Sequence, residues 1–338
     1  MTKEEAKALK KASKQKIKVD FERTDAWTRF RLRFLTFTFL KKAVWYIFRL
    51  VLLLGISYVI LYPFVAKIFG SFMSPKDLVD VEVKLIPKYP TLNIYKYIIE
   101  ENRYWEAFTN TFILSFACAV IETFICSVVG YGFAKFKFKG NTAMFMCVML
   151  SMIIPHKTLT LSYTMLFKDF NIWGIHFSSS PVNLINTYWP FVILCFGGLF
   201  FKNGLYIFMM RQFYKGVPDE LEEAAYIDGS GVFKTFIRII LPLSVPMMIT
   251  VFVFSFSWQW TDTFYSGLFF TNQGNYLMPD MITKIPPSLV DNTFVAQGLY
   301  NSCITNTNGL LVILPLVIIY CFLQRYIIQG IERSGIVG

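Results

Sequence analysis

The sequence predicts an all-α integral membrane protein with six transmembrane helices, and three observations carry that expectation. Apolar residues make up 55% of the 338-residue chain and charged residues only 16%, a balance that suits a polytopic membrane protein better than soluble domains. The apolar residues gather in runs of the length needed to cross hydrocarbon. Charges sit between the runs, and the basic ones concentrate on one set of connecting segments.

Taken in order, residues 1–44 form a basic segment, and the first 49 residues carry 14 Lys or Arg against 5 Asp or Glu. A basic tail can serve nucleic acid, but this one precedes a membrane span and follows the positive-inside tendency, so no nucleic-acid partner is expected. Trp27, Phe30, Phe34, Phe37 and Leu40, interleaved with Arg29, Arg31, Arg33 and Lys41, read as an amphipathic helix on the cytoplasmic interface. The first apolar run starts near Val44 without a small-residue cleavage site, which argues against a removable signal peptide.

Span one is expected from Trp45 to Ile68. A polar segment with Pro75, Pro87 and Pro90 follows; its charges nearly balance, which suits the outside face, and Asn93 to Trp105 reads as a short amphipathic helix. Span two runs from Ala107 to Ala134 with Glu122 as its only charge. Lys135, Lys137 and Lys139 then mark a cytoplasmic loop. Span three, from Thr142, is interrupted by Pro155-His156-Lys157, which frees backbone groups tolerable only against protein or a wet cavity.

Span four is expected from Leu184 to Lys202, continuing as a helix from Asn203 to Tyr214. Span five runs from Leu241 or Leu243 to Trp260. Residues 261–306 are polar and turn-rich, with a re-entrant or surface helix among them, and span six covers Thr307 to Ile327. Six crossings place both termini on the cytoplasmic side. Residues 45–338 thus form one transmembrane domain, with lipid as a partner throughout.

Between spans four and five lies a charged interruption, residues 211–242, with Pro218 and a run of Asp219, Glu220, Glu222 and Glu223 where a helix N-terminus favours negative charge. Gly229-Ser230-Gly231 permits a turn. A second helix follows with Phe233, Phe236, Ile237 and Ile240 on one face. The elbow carries four basic and five acidic residues from Arg211 to Leu241. A cytoplasmic loop that forgoes positive charge is expected to be claimed by a partner through its acidic tip.

The rest of the chain excludes several functions. No Gly-x-x-x-x-Gly-Lys-Ser/Thr run occurs, so the phosphate cradle for ATP is missing. There is no zinc-protease helix and no Cys/His cluster. The six cysteines read as small membrane-helix residues, and His156 and His176 lack companions, so neither a disulfide nor a metal site is expected.

Glu223-Ala224-Ala225, then Asp228-Gly229, then Phe236 and Leu241-Pro242 resemble the "EAA" loop of ABC importer permeases. The fuller pattern, from Arg211-Gln212-Phe213 through Pro218 and Leu221-Glu222-Glu223-Ala224-Ala225 to Leu241-Pro242-Leu243, resembles the branch that takes up carbohydrates through a binding protein. Its best-known member is the smaller permease of the maltose system. The resemblance implies the type I ABC importer permease fold, a bacterial cell-membrane location and no enzymatic activity in this chain.

It further implies a second homologous permease, two ATPase subunits that bind ATP and Mg, an extracellular solute-binding protein and a carbohydrate substrate, expected to be an oligosaccharide. By the same resemblance Glu223 meets a basic group on the ATPase, Ala224 and Ala225 allow close approach, and Gly229 sets the bend, with Asp228 beside it. Trp258-Gln259-Trp260-Thr261-Asp262 is similar to the family's Trp-Asn-Asp/Glu-Phe stretch, with Thr261 in the usual Asn place. Aromatic faces and a carboxylate are what a sugar needs, so Trp258, Trp260 and Asp262 are pathway candidates, against the alternative of an interfacial aromatic belt.

Glu122 joins these candidates because a carboxylate at mid-bilayer costs about 2.5–3.5 kcal/mol on insertion scales; either it faces the pathway or a partner subunit, or it pairs with a hydroxyl or backbone group in the bundle or sits near a helix end. The glycine-rich ending, Gly330 to Gly338, is similar to a tail that reaches toward the ATPases, with Val337 where Lys is usual. Rival readings are import of a peptide or polyol on the same scaffold, a membrane glycan-processing enzyme, and a membrane scaffold that moves nothing.

Overall fold

The computed structural model describes residues 25, 27, 37–171, 182–200, 202–272, 276–291 and 293–333. The described residues are helical or irregular, with no strand among them. Most of the expected interfacial helix, including Phe30, Phe34 and the three arginines, lies outside them, as do His176 and the tail residues Gly335 to Gly338.

The chain divides into two compact units, residues 1–66 and 67–338. The first is dominated by helix α1 (Phe37–Gly70), which ends just inside the second unit. It starts at Phe37, earlier than the expected Trp45, because Lys41 and Lys42 continue the same helix into the interface. Its side chains from Val44 to Val65 are largely exposed, as befits a stretch apolar on every face.

In the second unit, α2 (Pro75–Val79) begins in a capping box of Ser74 and Asp77, and Asp77 also accepts the backbone N–H groups of Lys88 and Tyr89 at 3.0 Å each. Helix α3 (Asn93–Glu101) buries Ile94 and Ile98. The central helix α4 (Tyr104–Lys135) follows after Arg103, whose φ of 52° makes the corner. The face of α4 turned into the bundle carries Thr111, Ser115, Cys118, Ala119, Thr123, Ser127 and Gly130. In lipid the inner face of a helix is marked by small and polar side chains, because apolar ones suit the outer face equally well.

Span three is broken as its proline predicts. Helix α5 (Asn141–Ser151) and the stretch from the 3-10 turn His156–Leu159 through α6 (Thr160–Lys168) meet at 92°. Span four departs from expectation. It is not one helix but two, α7 (Trp189–Phe196) and α8 (Asn203–Lys215). Gly198, at φ +64°, ends α7, with Leu199 N–H bonding Leu194 C=O at 3.0 Å and Gly198 N–H bonding Cys195 C=O at 3.2 Å. That pair of bonds is a Schellman stop, which glycine adopts without the Cβ penalty. Lys202, at φ 61°, then opens α8.

Helix α9 (Glu220–Ile227), the four-residue α10 (Val232–Thr235), a π-helical turn Phe236–Ile240 and the short α11 (Leu241–Leu243) make the elbow. The chain bends by 77° at Ser244 into α12 (Val245–Trp260). Helices α13 (Phe264–Phe269) and α14 (Met278–Met281) occupy the polar connection. Helix α15 (Gln297–Arg333) starts ten residues before the expected Thr307. Among the described residues three helices are long and apolar enough to cross a membrane, α1, α4 and α15, and up to five crossings result if each bent pair counts as one. The expected fourth span falls on α7 and α8, neither of which is long enough to be counted as a crossing.

Candidate functional site

The elbow is built from its caps. The C=O of Asp219 accepts from the N–H groups of Glu222 and Glu223 at 3.0 Å each and so starts α9. At the other end Ser230 N–H reaches Ala225 C=O at 2.9 Å and Gly229 N–H reaches Tyr226 C=O at 3.0 Å, with Gly229 at φ +78°. This is a second Schellman stop, and it puts the bend where the sequence places it.

Beneath α9 sits a cluster that the sequence did not single out. Lys135, the last residue of α4, donates to Asp219 Oδ1 at 2.5 Å and to Val217 C=O at 2.6 Å, and its ammonium lies 3.4 Å from Glu222 Oε2. The Tyr131 hydroxyl donates to Glu222 Oε1 at 2.5 Å. Lys135 and Glu222 are both buried. The Lys135 ammonium holds the Asp219 carboxyl below its ordinary value of 3.8, so that bond is whole at neutral pH and fails only as the pH falls below that value.

One turn further into the membrane, Tyr214 of α8 shares its hydroxyl with Ser127 of α4 at 2.5 Å and donates to Ser244 at 3.0 Å. Phe236 lies 4.8 Å from the Tyr131 ring, centroid to centroid. The elbow, the end of α4, α8 and the bend at Ser244 are therefore tied at several points.

Glu223, Ala224, Asp228 and Gly229 lie on the outward face of the elbow. Ala225 does not; it is buried within this chain, so its surface is not offered to a partner as expected. Phe233 also departs from its expected place. It is 73% exposed, because Phe236 is the first ring of this segment to reach the bundle. Together with Ile227, which is 86% exposed, it adds an apolar knob to what the sequence read as a purely acidic tip.

The pathway candidates separate in the same way. Trp260 is fully buried; its indole N–H donates to Val312 C=O at 2.9 Å and its ring packs on Phe256 and Phe108. Asp262 is buried and accepts from the backbone N–H groups of Phe264, Tyr265 and Ser266 at 3.1, 3.2 and 2.7 Å, so it caps α13. Glu122 is buried, accepting from the Ser255 hydroxyl and, at 2.9 Å, from the Asn203 amide, whose oxygen takes the Phe200 N–H at 3.0 Å. Of its two expected situations, Glu122 has the one with a hydroxyl partner in the bundle. Trp258 is 48% exposed, with the Lys202 ammonium 5.0 Å from its ring centroid.

The family model of the binding-protein-dependent transport system inner membrane component matches residues 126–333, from the middle of α4 to the end of α15. The chain belongs to this family. It is a multi-pass permease subunit of an ABC importer, not an enzyme. Among its relatives, the arabinooligosaccharides transport system permease protein AraQ of Halalkalibacterium halodurans is 27% identical over 84% of this permease and 93% of its own length. The galactooligosaccharides transport system permease protein GanQ of Bacillus subtilis is 24% identical over 86% and 95%. A solved bacterial ABC transporter involved in the import of the acidic polysaccharide alginate has a chain that superposes with a TM-score of 0.67, covering 85% of the permease and 97% of that chain at 18% identity. This last likeness concerns the fold.

Proposed function

We propose that this permease carries an oligosaccharide inward across a bacterial cell membrane by alternating access, driven by ATP hydrolysis on separate subunits. The observation that carries the reading is the elbow: a capped, bent helix pair whose inner face is fastened to α4 and whose outer face is left with Glu223, Asp228, Ile227 and Phe233. Two relatives named for arabino- and galactooligosaccharides support the substrate class. The partners are a second, homologous permease, two ATPases that hold ATP and Mg, and an extracellular solute-binding protein.

In this reading the elbow and both termini are cytoplasmic. The apolar knob of Ile227 and Phe233 fills a cleft on the ATPase, Glu223 pairs with a basic group at its rim, and Gly229 keeps the knob at its angle. When the ATPases close on ATP, α9 moves with them. Lys135 and Glu222 hand that displacement to α4, and the Tyr214 hydroxyl hands it to α8 and to the bend at Ser244. Two broken segments then allow the bundle to change shape while α4 stays straight. ATP hydrolysis resets the elbow.

The test is uptake in liposomes containing the whole transporter. Sugar-stimulated ATP turnover is expected, with Glu223→Ala abolishing uptake although the complex still forms. Normal uptake by Glu223→Ala, or labelling of Glu223→Cys from outside intact cells, overturns the assignment.

A further inference from the structure

Where the loop after α4 meets the end of α8 there is an open groove of about 540 Å³, lined among others by Phe133, Lys137, Phe138, Lys139, Arg211 and Lys215. That volume falls within the roughly 300–1,000 Å³ of small-molecule sites. Its level follows from α4. The 32 residues of that helix make it about 48 Å long at 1.5 Å per residue, slightly more than the roughly 40–45 Å of a bilayer with its headgroup layers. The end of α4 and the loop beyond it therefore stand at headgroup level.

The cations of this groove have no carboxylate of their own. Lys137, Lys139, Arg211 and Lys215 make no ion pair among the described residues. Asp219 and Glu222, the acids beside the end of α4, are bonded to Lys135 and Tyr131; Lys137 adds to the field that keeps Asp219 ionised without bonding to it. Arg211 makes one long contact, 3.5 Å to the amide of its neighbour Gln212, and its guanidinium lies 4.0 Å from the centroid of the Phe145 ring. The groove also reaches Asn141, the first residue of α5. No side chain caps that helix and its first turn holds no acid, so its leading N–H groups add positive partial charge at the groove's edge. Like charges that share one groove repel unless an anion comes between them.

Aromatic rings lead from these cations into the bundle. Phe138 lies 6.4 Å from Phe133, Phe133 5.6 Å from Phe145, and Phe145 6.4 Å from Phe208, centroid to centroid. Phe208 is one turn before Arg211 on α8, on the membrane side. Cations at headgroup level with an apolar row running inward from them suit a molecule that is anionic at one end and apolar at the other. A free phosphate would use the cations alone.

We propose that this groove binds an anionic phospholipid, its phosphate among Lys137, Lys139, Arg211 and Lys215 and its glycerol and upper chains along the phenylalanine rings. The lipid then bridges the start of α5 and the end of α8. The proposal takes only the choice of leaflet from the orientation read for the elbow. The positive-inside tendency needs a number of lysines; a site needs cations at these positions, and the experiment reads that difference.

The whole transporter is reconstituted in vesicles of phosphatidylcholine with a minority of phosphatidylglycerol. One lipid at a time carries a diazirine near the head of one chain, and labelled peptides are identified by mass spectrometry. Phosphatidylglycerol is expected to label residues 133–145 and 208–215 about tenfold more than phosphatidylcholine does. Arg211→Gln with Lys215→Gln, and separately Lys137→Gln with Lys139→Gln, are each expected to bring that labelling down to the phosphatidylcholine level. Lys234→Gln with Arg238→Gln removes the same charge from the elbow and is expected to leave it unchanged, as is excess inorganic phosphate. Equal labelling by both lipids, or labelling insensitive to both groove pairs, overturns the site. A fall in the elbow pair as large as in the groove pairs shows diffuse attraction and overturns it too. So does displacement by inorganic phosphate, which would make the groove a plain anion site. Loss of ATPase from the purified groove variants with labelling intact would make it a protein contact, and also overturns the proposal. Each of these results leaves sugar import standing, and labelling of Glu223→Cys from outside intact cells tests the orientation separately.

Discussion

Lys135 shows how much one side chain's meaning depends on what folds against it. In the sequence it is one of three lysines that set the inside face; in the structure it alone is buried, against Glu222, while Asp219 lies mostly in water. Breaking a buried pair costs about 3 kcal/mol or more, whereas exposed pairs contribute little. Lys135→Met is therefore expected to loosen α9, with amide hydrogen exchange across residues 220–227 rising about a hundredfold and uptake falling while the complex still hydrolyses ATP. Asp219→Asn is expected to change neither. Unchanged exchange in Lys135→Met would show that the cluster does not anchor the elbow. Glu222 escaped the sequence reading for a related reason: in Glu222-Glu223 one carboxylate points in and one out, and only the neighbouring fold says which. Asp262 and Trp260 escaped oppositely. Their types suit a sugar, yet an acid just before a helix also suits its exposed N–H groups, and an indole also suits a core.

At the scale of helices, charge and proline were legible and continuity was not. The expected span from Ala107 to Ala134 lies within α4, whose last residue is the first of the three loop lysines, and the break in span three follows from Pro155. The break in span four rests on Gly197-Gly198 inside an apolar run, where glycine is common in unbroken membrane helices too and periodicity is silent because lipid accepts every face. Glycines in α4 separate by their surroundings. A Cβ at Gly130 would lie 2.7 Å from Met210 Cβ and 3.0 Å from the backbone N of Arg211, whereas one at Gly132 meets nothing within 4 Å. Gly130→Ala must push α8 away, a cost of about 1–3 kcal/mol for overpacking. Gly132→Ala is expected to be neutral or stabilising by up to about 1 kcal/mol. Thermal unfolding of the detergent-purified complex distinguishes them, and equal midpoints would mean that α4 and α8 do not meet so closely at Gly130.

For the molecule as a whole, the question is which parts move together when the elbow is displaced. The fastenings are unevenly spread. Tyr131 and Lys135 at the end of α4 hold Glu222 of α9 and the residues just before it, and a hydroxyl chain joins α4, α8 and the bend at Ser244. The breaks at residues 152–155 and 197–200 interrupt the helices and have a cavity between them. Interfaces held at several points shift as bodies, and motion collects where contacts are sparse. The elbow, α4 and α8 should therefore travel as one lever, with the two breaks as its hinges. Tethering Tyr131→Cys to Glu222→Cys with a short bifunctional thiol reagent replaces the lost hydrogen bond by a covalent one, so uptake is expected to recover on cross-linking relative to the untethered double variant. Tethering Met152→Cys to Gly204→Cys spans the hinge region and is expected to stop the uptake that remains in the untethered pair, where a Cβ at 204 already lies 2.9 Å from the Val148 carbonyl oxygen, while leaving ATP binding intact. If instead the first tether blocks transport, α9 must swing against α4 in each cycle, and the lever lies within the elbow itself.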